Sequence, residues 1–226
     1  MIYNPRDVVI YDEPFFGYLM PQTAGATVDG RWCKKDTSSA GSPTVGSVTG
    51  AKGIALTLAA DEEAEVLTLY HGDLLQFLIT RLLKVRFRAK ITASLNAAVT
   101  AILGMASAQS DTIDSIAQQA SFRVLGSNAV YCETDDGTTD RDDIATGDTL
   151  AATLKWFEID FAQGLSNVQF FMEDANAQLQ RVGRSTVFDM SAYSGALQPF
   201  FQLQKTSATA VATLHIDHFQ AILRAR

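Results

Sequence analysis

Apolar and polar side chains alternate with a period of two along most of the chain, a pattern that predicts strands and not helices. Across residues 53–60, Ile54, Leu56 and Leu58 interleave with Ala55, Thr57 and Ala59, and a turn-forming Asp-Glu-Glu follows. Residues 65–70 predict a second strand, and 74–80 a third, apolar enough to be buried on both faces. The alternation is clearest at 84–91, where Lys84, Arg86, Arg88 and Lys90 fall on one side and Val85, Phe87, Ala89 and Ile91 on the other. A helical period would mix these two sets; a pleated strand separates them. Further strands are predicted over 100–107, 120–125, 129–134, 150–161, 167–173, 178–182, 197–204 and 210–223. Gly126, Ser127 and Asn128 supply a short hairpin link between two of these, and residues 174–177 supply another. Within 150–161, Phe157, Ile159 and Phe161 face away from Trp156, Glu158 and Asp160; within 210–223, Leu214, Ile216 and His218 share a face.

Helix is scarce in this pattern. A short one capped by Asp111 and Asp114 is predicted through Gln119, and residues 189–195 suit a single turn. The Gly-, Ser- and Thr-rich stretches 23–30 and 36–53 read as long loops. A meander of so many strands must bury its apolar faces between two layers, so the predicted fold is an all-β, two-sheet antiparallel β-sandwich. With 226 residues and 47% hydrophobic composition, one core suffices. The expected organisation is an N-terminal extension over 1–30 and a single sandwich domain over 31–226. No window approaches the ~20 apolar residues of a membrane helix. Arg6 and Asp7 fall where a secretory leader needs an unbroken apolar stretch, so a soluble protein made in the cytosol is expected.

Charge narrows the partners. The net charge of −7 argues against nucleic acid, whose binding rests on Lys and Arg neutralising phosphates. Between Val130 and Asp148 seven acids and one base give −6, leaving −1 for all other residues, so the acidity is local. That segment raises the question of calcium, with Asp135, Asp140 and Asp142 as candidate ligands, because hard cations take six to eight oxygens from a flexible loop. The spacing does not follow the EF-hand ladder, and a solvated turn, or an acidic contact for a basic partner, is the expected reading. Cys33 and Cys132 lack any metal-knuckle spacing and are expected to be buried thiols. His215 and His218 are three apart, which on a strand places them on opposite faces, so no shared metal is expected. His71 falls in a turn beside Gly72 and Asp73.

The sharpest catalytic feature is Trp156 to Phe161, WFEIDF. It resembles the EIDxE-type strand of laminarinase-like glycoside hydrolases, in which alternate acids on one strand face supply nucleophile, helper and general acid. Retaining hydrolysis needs two carboxyl groups about 5 Å apart. Here the next acid is missing: Ala162 and Gln163 follow Phe161, and neither can deliver a proton. Glu158 and Asp160 are therefore expected as a solvent-facing pair, and the protein as no enzyme. The basic row Lys84, Arg86, Arg88 and Lys90 must be solvated, answered by acids on a neighbouring strand, or opposed by another subunit. Near the N-terminus, Tyr3, Pro5, Phe15, Phe16 and Tyr18 concentrate aromatics and prolines, which suits either packing on the domain or docking on a partner. The basic row and these aromatics are the candidate interface residues.

Several phrases together resemble tailed-phage virion proteins of the concanavalin A-like jelly-roll type. They are WCKKDTS at 32–38, FRAKIT at 87–92, ASFRVLGSNAVYCETDDGTTD at 120–140, the FEIDF strand, and LQPFFQLQKTS at 197–207. The resemblance spans roughly residues 30–223 and lies in strand order and linked phrases, with no chemical signature. It implies a non-enzymatic capsid decoration, cement or head-associated protein, made in the host cytoplasm and placed on the capsid surface of the virion. Its partners would be the major capsid protein and further copies of itself, as in a trimer, with no cofactor, nucleic acid or membrane. The alternative is a carbohydrate-binding, lectin-like module of a virion fibre. That reading needs exposed aromatic platforms, and Trp32 and Trp156 are the two tryptophans available.

Overall fold

The computed structural model describes residues 7–15, 22–23 (backbone alone), 32–48, 51–74, 77–92 and 97–225. In chain order the strands are β1 Val8–Glu13, β2 Gln22–Thr23, β3 Cys33–Asp36, β4 Thr44–Ser47, β5 Ile54–Thr57, β6 Glu65–Tyr70, β7 Phe77–Leu78, β8 Leu82–Ile91 and β9 Val99–Ala106. They continue as β10 Gln119–Val124, β11 Ala129–Asp135, β12 Asp140–Thr149, β13 Lys155–Asp160, β14 Gln169–Glu173, β15 Leu179–Val182, β16 Ala196–Lys205 and β17 Thr213–Arg224. Among the described residues they form two sheets. The front sheet runs β15-β14-β13-β8-β17-β5-β4, with β1 also on β17; the back sheet runs β12-β11-β10-β9-β16-β6-β3-β2, with β7 on β16. Pairing is antiparallel throughout except for the short β2–β3 pair. The predicted two-sheet antiparallel sandwich is thus the fold.

The period-two pattern decides which face is buried. In β8, Val85, Phe87, Ala89 and Ile91 are at most 1% exposed while the four basic residues that alternate with them are partly open. Between the sheets Phe87 stacks on Phe157 with centroids 5.3 Å apart and meets Phe122 and Phe201 edge-on. Offset and edge-to-face geometries suit the ring quadrupoles, and each buried phenylalanine contributes roughly 1.5–3 kcal/mol by area. Gly104 in β9 marks a close approach: a Cβ there would lie 2.5 Å from the carbonyl oxygen of Ala120 in β10. Behind the back sheet, Ile113 and Ile116 cover Ile102, Tyr70 and Phe200 in a second apolar cluster.

Several expectations need correction. The acid-rich segment read as a solvated turn is mostly strand: β11 and β12 pair, with Asp135 opposite Asp140, and the turn between them is confined to residues 136–139. Strand β12 escaped the pattern because it lies at a sheet edge with most side chains exposed, so no apolar face marks it. Charges on an edge also hinder pairing with a foreign strand. Strand β4 falls inside the stretch read as a loop. Among the described residues of the third predicted strand, Phe77–Leu78 is extended and a 3-10 turn follows at Ile79–Arg81, and the predicted helix is a 3-10 turn at Ile113–Ser115. Strand β1, within the segment read as an extension, pairs with β17 along its whole length. Cys33 and Cys132 are both buried thiols. Among the described residues no helix is long and apolar enough to cross a membrane.

Candidate functional site

Register carries polar side chains across the outer face of the front sheet in rows. Trp156 lies opposite Arg88, and Arg88 opposite His218. In the next row Glu158, Arg86, Gln220 and Asp12 follow one another across β13, β8, β17 and β1. Asp160, Lys84 and Ile222 form a third. Partners at one register share a face and sit about 4.5–5.5 Å apart, so each row is a contiguous patch.

The first row depends on a β-bulge. Simple alternation placed His215 and His218 on opposite faces, and His218 with Leu214 and Ile216; both expectations fail. Ile216 pairs with Ala89 and His218 with Arg88, leaving Asp217 as the extra residue. One inserted residue reverses the facing of all that follow. Both histidines therefore point outward, while Phe219, Ala221 and Leu223 return to the core. The signal was present in the sequence: apolar positions shift from even numbers, 214 and 216, to odd numbers, 219, 221 and 223.

Glu158 and Asp160 are not the solvent-facing pair expected, being 3% and 7% exposed. Glu158 accepts hydrogen bonds from Lys84 Nζ at 2.7 Å and from Arg86 Nε. Asp160 lies 3.0 Å from Lys84 Nζ and accepts the Ala162 amide at 2.7 Å. Lys84 and Arg86 reach these carboxylates with their charged heads while their side chains stay 27% and 38% exposed. Burial acts most strongly on Lys84 and would depress its pKa, but the hydrogen bonds to Glu158 and then Asp160 together hold it above its ordinary value. Half of the basic row is thus answered within the sheet.

Above Trp156 opens a cleft of about 570 Å³. Asp12, Arg86, His218 and Gln220 line it, as do Gln178 and Leu179 from the β14–β15 hairpin. The Trp156 ring meets His218 edge-on at 5.0 Å, and the Arg88 guanidinium carbon lies 6.0 Å from the indole centroid. The Trp156 amide donates to Glu173 Oε2 at 2.7 Å. Asp12 Oδ1 accepts from Gln220 Nε2 at 3.0 Å and lies 2.8 Å from His218 Nε2. The hairpin wall is set by Asp174 Oδ1, which accepts from the amides of Asn176 and Gln178, and by Ala177 at φ 59°. The result is an apolar plane surrounded by hydrogen-bonding groups of both kinds.

The other candidates lie elsewhere. Phe15 is 1% exposed and packs on Trp32 at 4.9 Å, so its ring belongs to the domain's own core and not to a partner surface. Trp32 is likewise buried, at 4% exposure. Tyr3, Pro5, Phe16 and Tyr18 fall outside the described residues. Asp135 and Asp136 accept amide hydrogen bonds within their own turn, and among the described residues no group of three or more metal-ligating side chains is arranged to hold an ion. Asp140 and Asp142 belong to the edge strand β12.

No protein-family model matches the sequence, and no curated protein matches it either. Solved structures do match by shape. Peanut lectin superposes with a TM-score of 0.60 at 10% identity, covering 96% of this chain and 97% of its own. The Bacillus licheniformis β-glucanase gives 0.60 at 12% identity, over 94% and 97% of the two chains. A protein of unknown function from Shewanella oneidensis gives 0.60 at 9% identity, over 97% and 87%. Identities this low convey the fold alone, and they lend the capsid role no support. The chain has the two-sheet sandwich of concanavalin A-like lectins and glucanases.

Proposed function

We propose that this chain is a non-catalytic carbohydrate-binding module whose ligand lies in the Trp156 cleft. One observation carries the reading: the aromatic ring sits in a cleft of about 570 Å³ together with Asp12, Glu173, Gln178, His218 and Gln220. An indole offers its plane to the apolar face of a sugar ring, while carboxylates and amides accept from and donate to the hydroxyls around it. The volume suits one or two sugar rings, within the roughly 300–1,000 Å³ of small-molecule sites. Lectins share this fold, which supports the reading by analogy.

Glucanases share the fold as well, but the acids of the WFEIDF strand favour binding over hydrolysis. Hydrolysis needs one carboxyl group free to protonate the leaving oxygen and a second facing the sugar. Glu158 and Asp160 are buried and held in ion pairs with Lys84 and Arg86. The capsid-decorating role rested on the resemblance to tailed-phage virion proteins, with the aromatic extension and the basic strand as its candidate contacts. Phe15 serves the core, and Lys84 and Arg86 pair within the sheet, so those features support it less than the cleft supports sugar binding.

Calorimetric titration against a panel of neutral and charged oligosaccharides tests the proposal. Binding is expected, and Trp156→Ala should weaken it by tenfold or more, about 1.4 kcal/mol or above, with unchanged circular dichroism. A panel without a hit, or new reducing ends on long incubation, would overturn it.

A further inference from the structure

The Trp156 cleft has a carboxylate at either side. Asp12 on β1 and Glu173 on β14 both line it. Glu173 shares the outward face because it lies two residues beyond Phe171, the cross-strand partner of Glu158. Among the described residues Glu173 makes no ion pair; its Oε2 accepts the Trp156 amide, which leaves Oε1 for a ligand. Asp12 keeps 46% of its side-chain surface open, and its contacts with His218 and Gln220 both fall on Oδ1, which leaves Oδ2. Fixed positive charge does not answer these two acids. Of the described lining residues Arg86 is the permanent cation, and it is bonded to Glu158. His218 offsets Asp12 only when protonated. Arg88 approaches the indole from outside the lining and has Asp217 3.7 Å from its Nη1. Strands β13, β8 and β17 separate β14 from β1, so the backbones carrying the two acids stand about 19 Å apart, too far for one small cation to touch both. Among the described residues no three metal-ligating side chains converge, so this arrangement does not suit a metal ion.

Resting on the carbohydrate reading, we propose that the ligand is a cationic oligosaccharide with amino groups on successive rings, its ammonium groups held by Asp12 and Glu173 while a ring lies on Trp156. Ammonium-to-carboxylate hydrogen bonds are roughly twice as strong as those between neutral groups, so the two acids favour an amine over a hydroxyl at the same ring position. The indole adds to this, because its face attracts cations. Acids on opposite sides of an aromatic plane match a repeating amino sugar better than a single amine.

Calorimetric titration with the β-1,4-linked glucosamine trimer, its N-acetylated form, cellotriose and a trilysine peptide tests this, in buffer acid enough to protonate the sugar amine. The three sugars share a backbone and differ at one ring substituent. At low salt the free amine should bind about tenfold tighter than either neutral sugar, and the difference should shrink as salt rises. Glu173→Gln keeps an oxygen for the Trp156 amide while removing the charge, and should reduce the preference to about threefold. Asp12→Asn should do the same, and the double variant should show no preference. Trp156→Ala should weaken all three sugars. Equal affinity for the three, tighter binding of a neutral one, a preference that salt or the double variant leaves intact, or trilysine binding tighter than the glucosamine trimer would each overturn the amino-sugar assignment, and as long as any glycan binds the carbohydrate reading stands. Failure of every glycan would overturn both.

Discussion

At the scale of single residues, the outer faces of both sheets hold carboxylates that alternation alone assigns to water. Glu133 on β11 is 1% exposed, accepts a hydrogen bond from Gln119 Nε2 and lies 3.6 Å from Arg123 Nη1. Its pKa is pushed up to about 8, mainly by burial, with Arg123 opposing and Asp142, Asp143 and Asp114 reinforcing. The folded protein therefore holds this proton more tightly than the unfolded chain does. The resulting stabilisation is complete below the ordinary carboxyl pKa of 4.5 and is lost as pH rises through about 8. Glu133→Gln should reduce the fall in melting temperature between about pH 5 and 8.5, raising it by roughly 2–6 °C at the upper end, with little change at about pH 4.5. Identical pH profiles for the two proteins would refute this. Nothing in the sequence around Glu133 marks its burial, because the groups that cover it arrive from other strands and loops.

At the scale of elements, the long strands with an apolar face were legible, and the edge strands β4 and β12 were not. Strand β8 is a run of alternating side chains whose burial follows from period two, whereas β12 and β4 are held by pairing with neighbours that local sequence does not disclose. The bulge in β17 lies between these cases, visible as a phase change though read as a regular strand. Deleting Asp217 removes the extra residue and keeps Ile216 opposite Ala89 and His218 opposite Arg88. The shortened protein should fold, with stability within about 2 kcal/mol of the parent. Deleting Gln220 instead would turn Ala221 and Leu223 outward and should abolish cooperative melting. Comparable melting of the two deletions would show that the bulge does not set the register.

At the scale of the whole molecule, the cleft is assembled from segments far apart in the chain. Asp12 joins His218 and Gln220 across more than two hundred positions, and Phe15 anchors the same segment beneath Trp32. Removing residues 1–15 should therefore cost both stability and glycan binding, since it takes away a cleft wall and a buried phenylalanine, about 3–5 kcal/mol for the ring alone. Binding and melting curves equal to those of the full chain would refute this. The sequence by itself determined the all-β class, the two-layer sandwich and the inner faces of its long strands, because period-two alternation is local and a half-buried strand has one way to satisfy it. Only the tertiary structure decided that Glu158 and Asp160 are buried ion-pair partners, that His218 joins Trp156, and that Asp12 reaches both His218 and Gln220. Those outcomes depend on which strands become neighbours and at what register, and pairing between distant segments is set by the packing of the whole core.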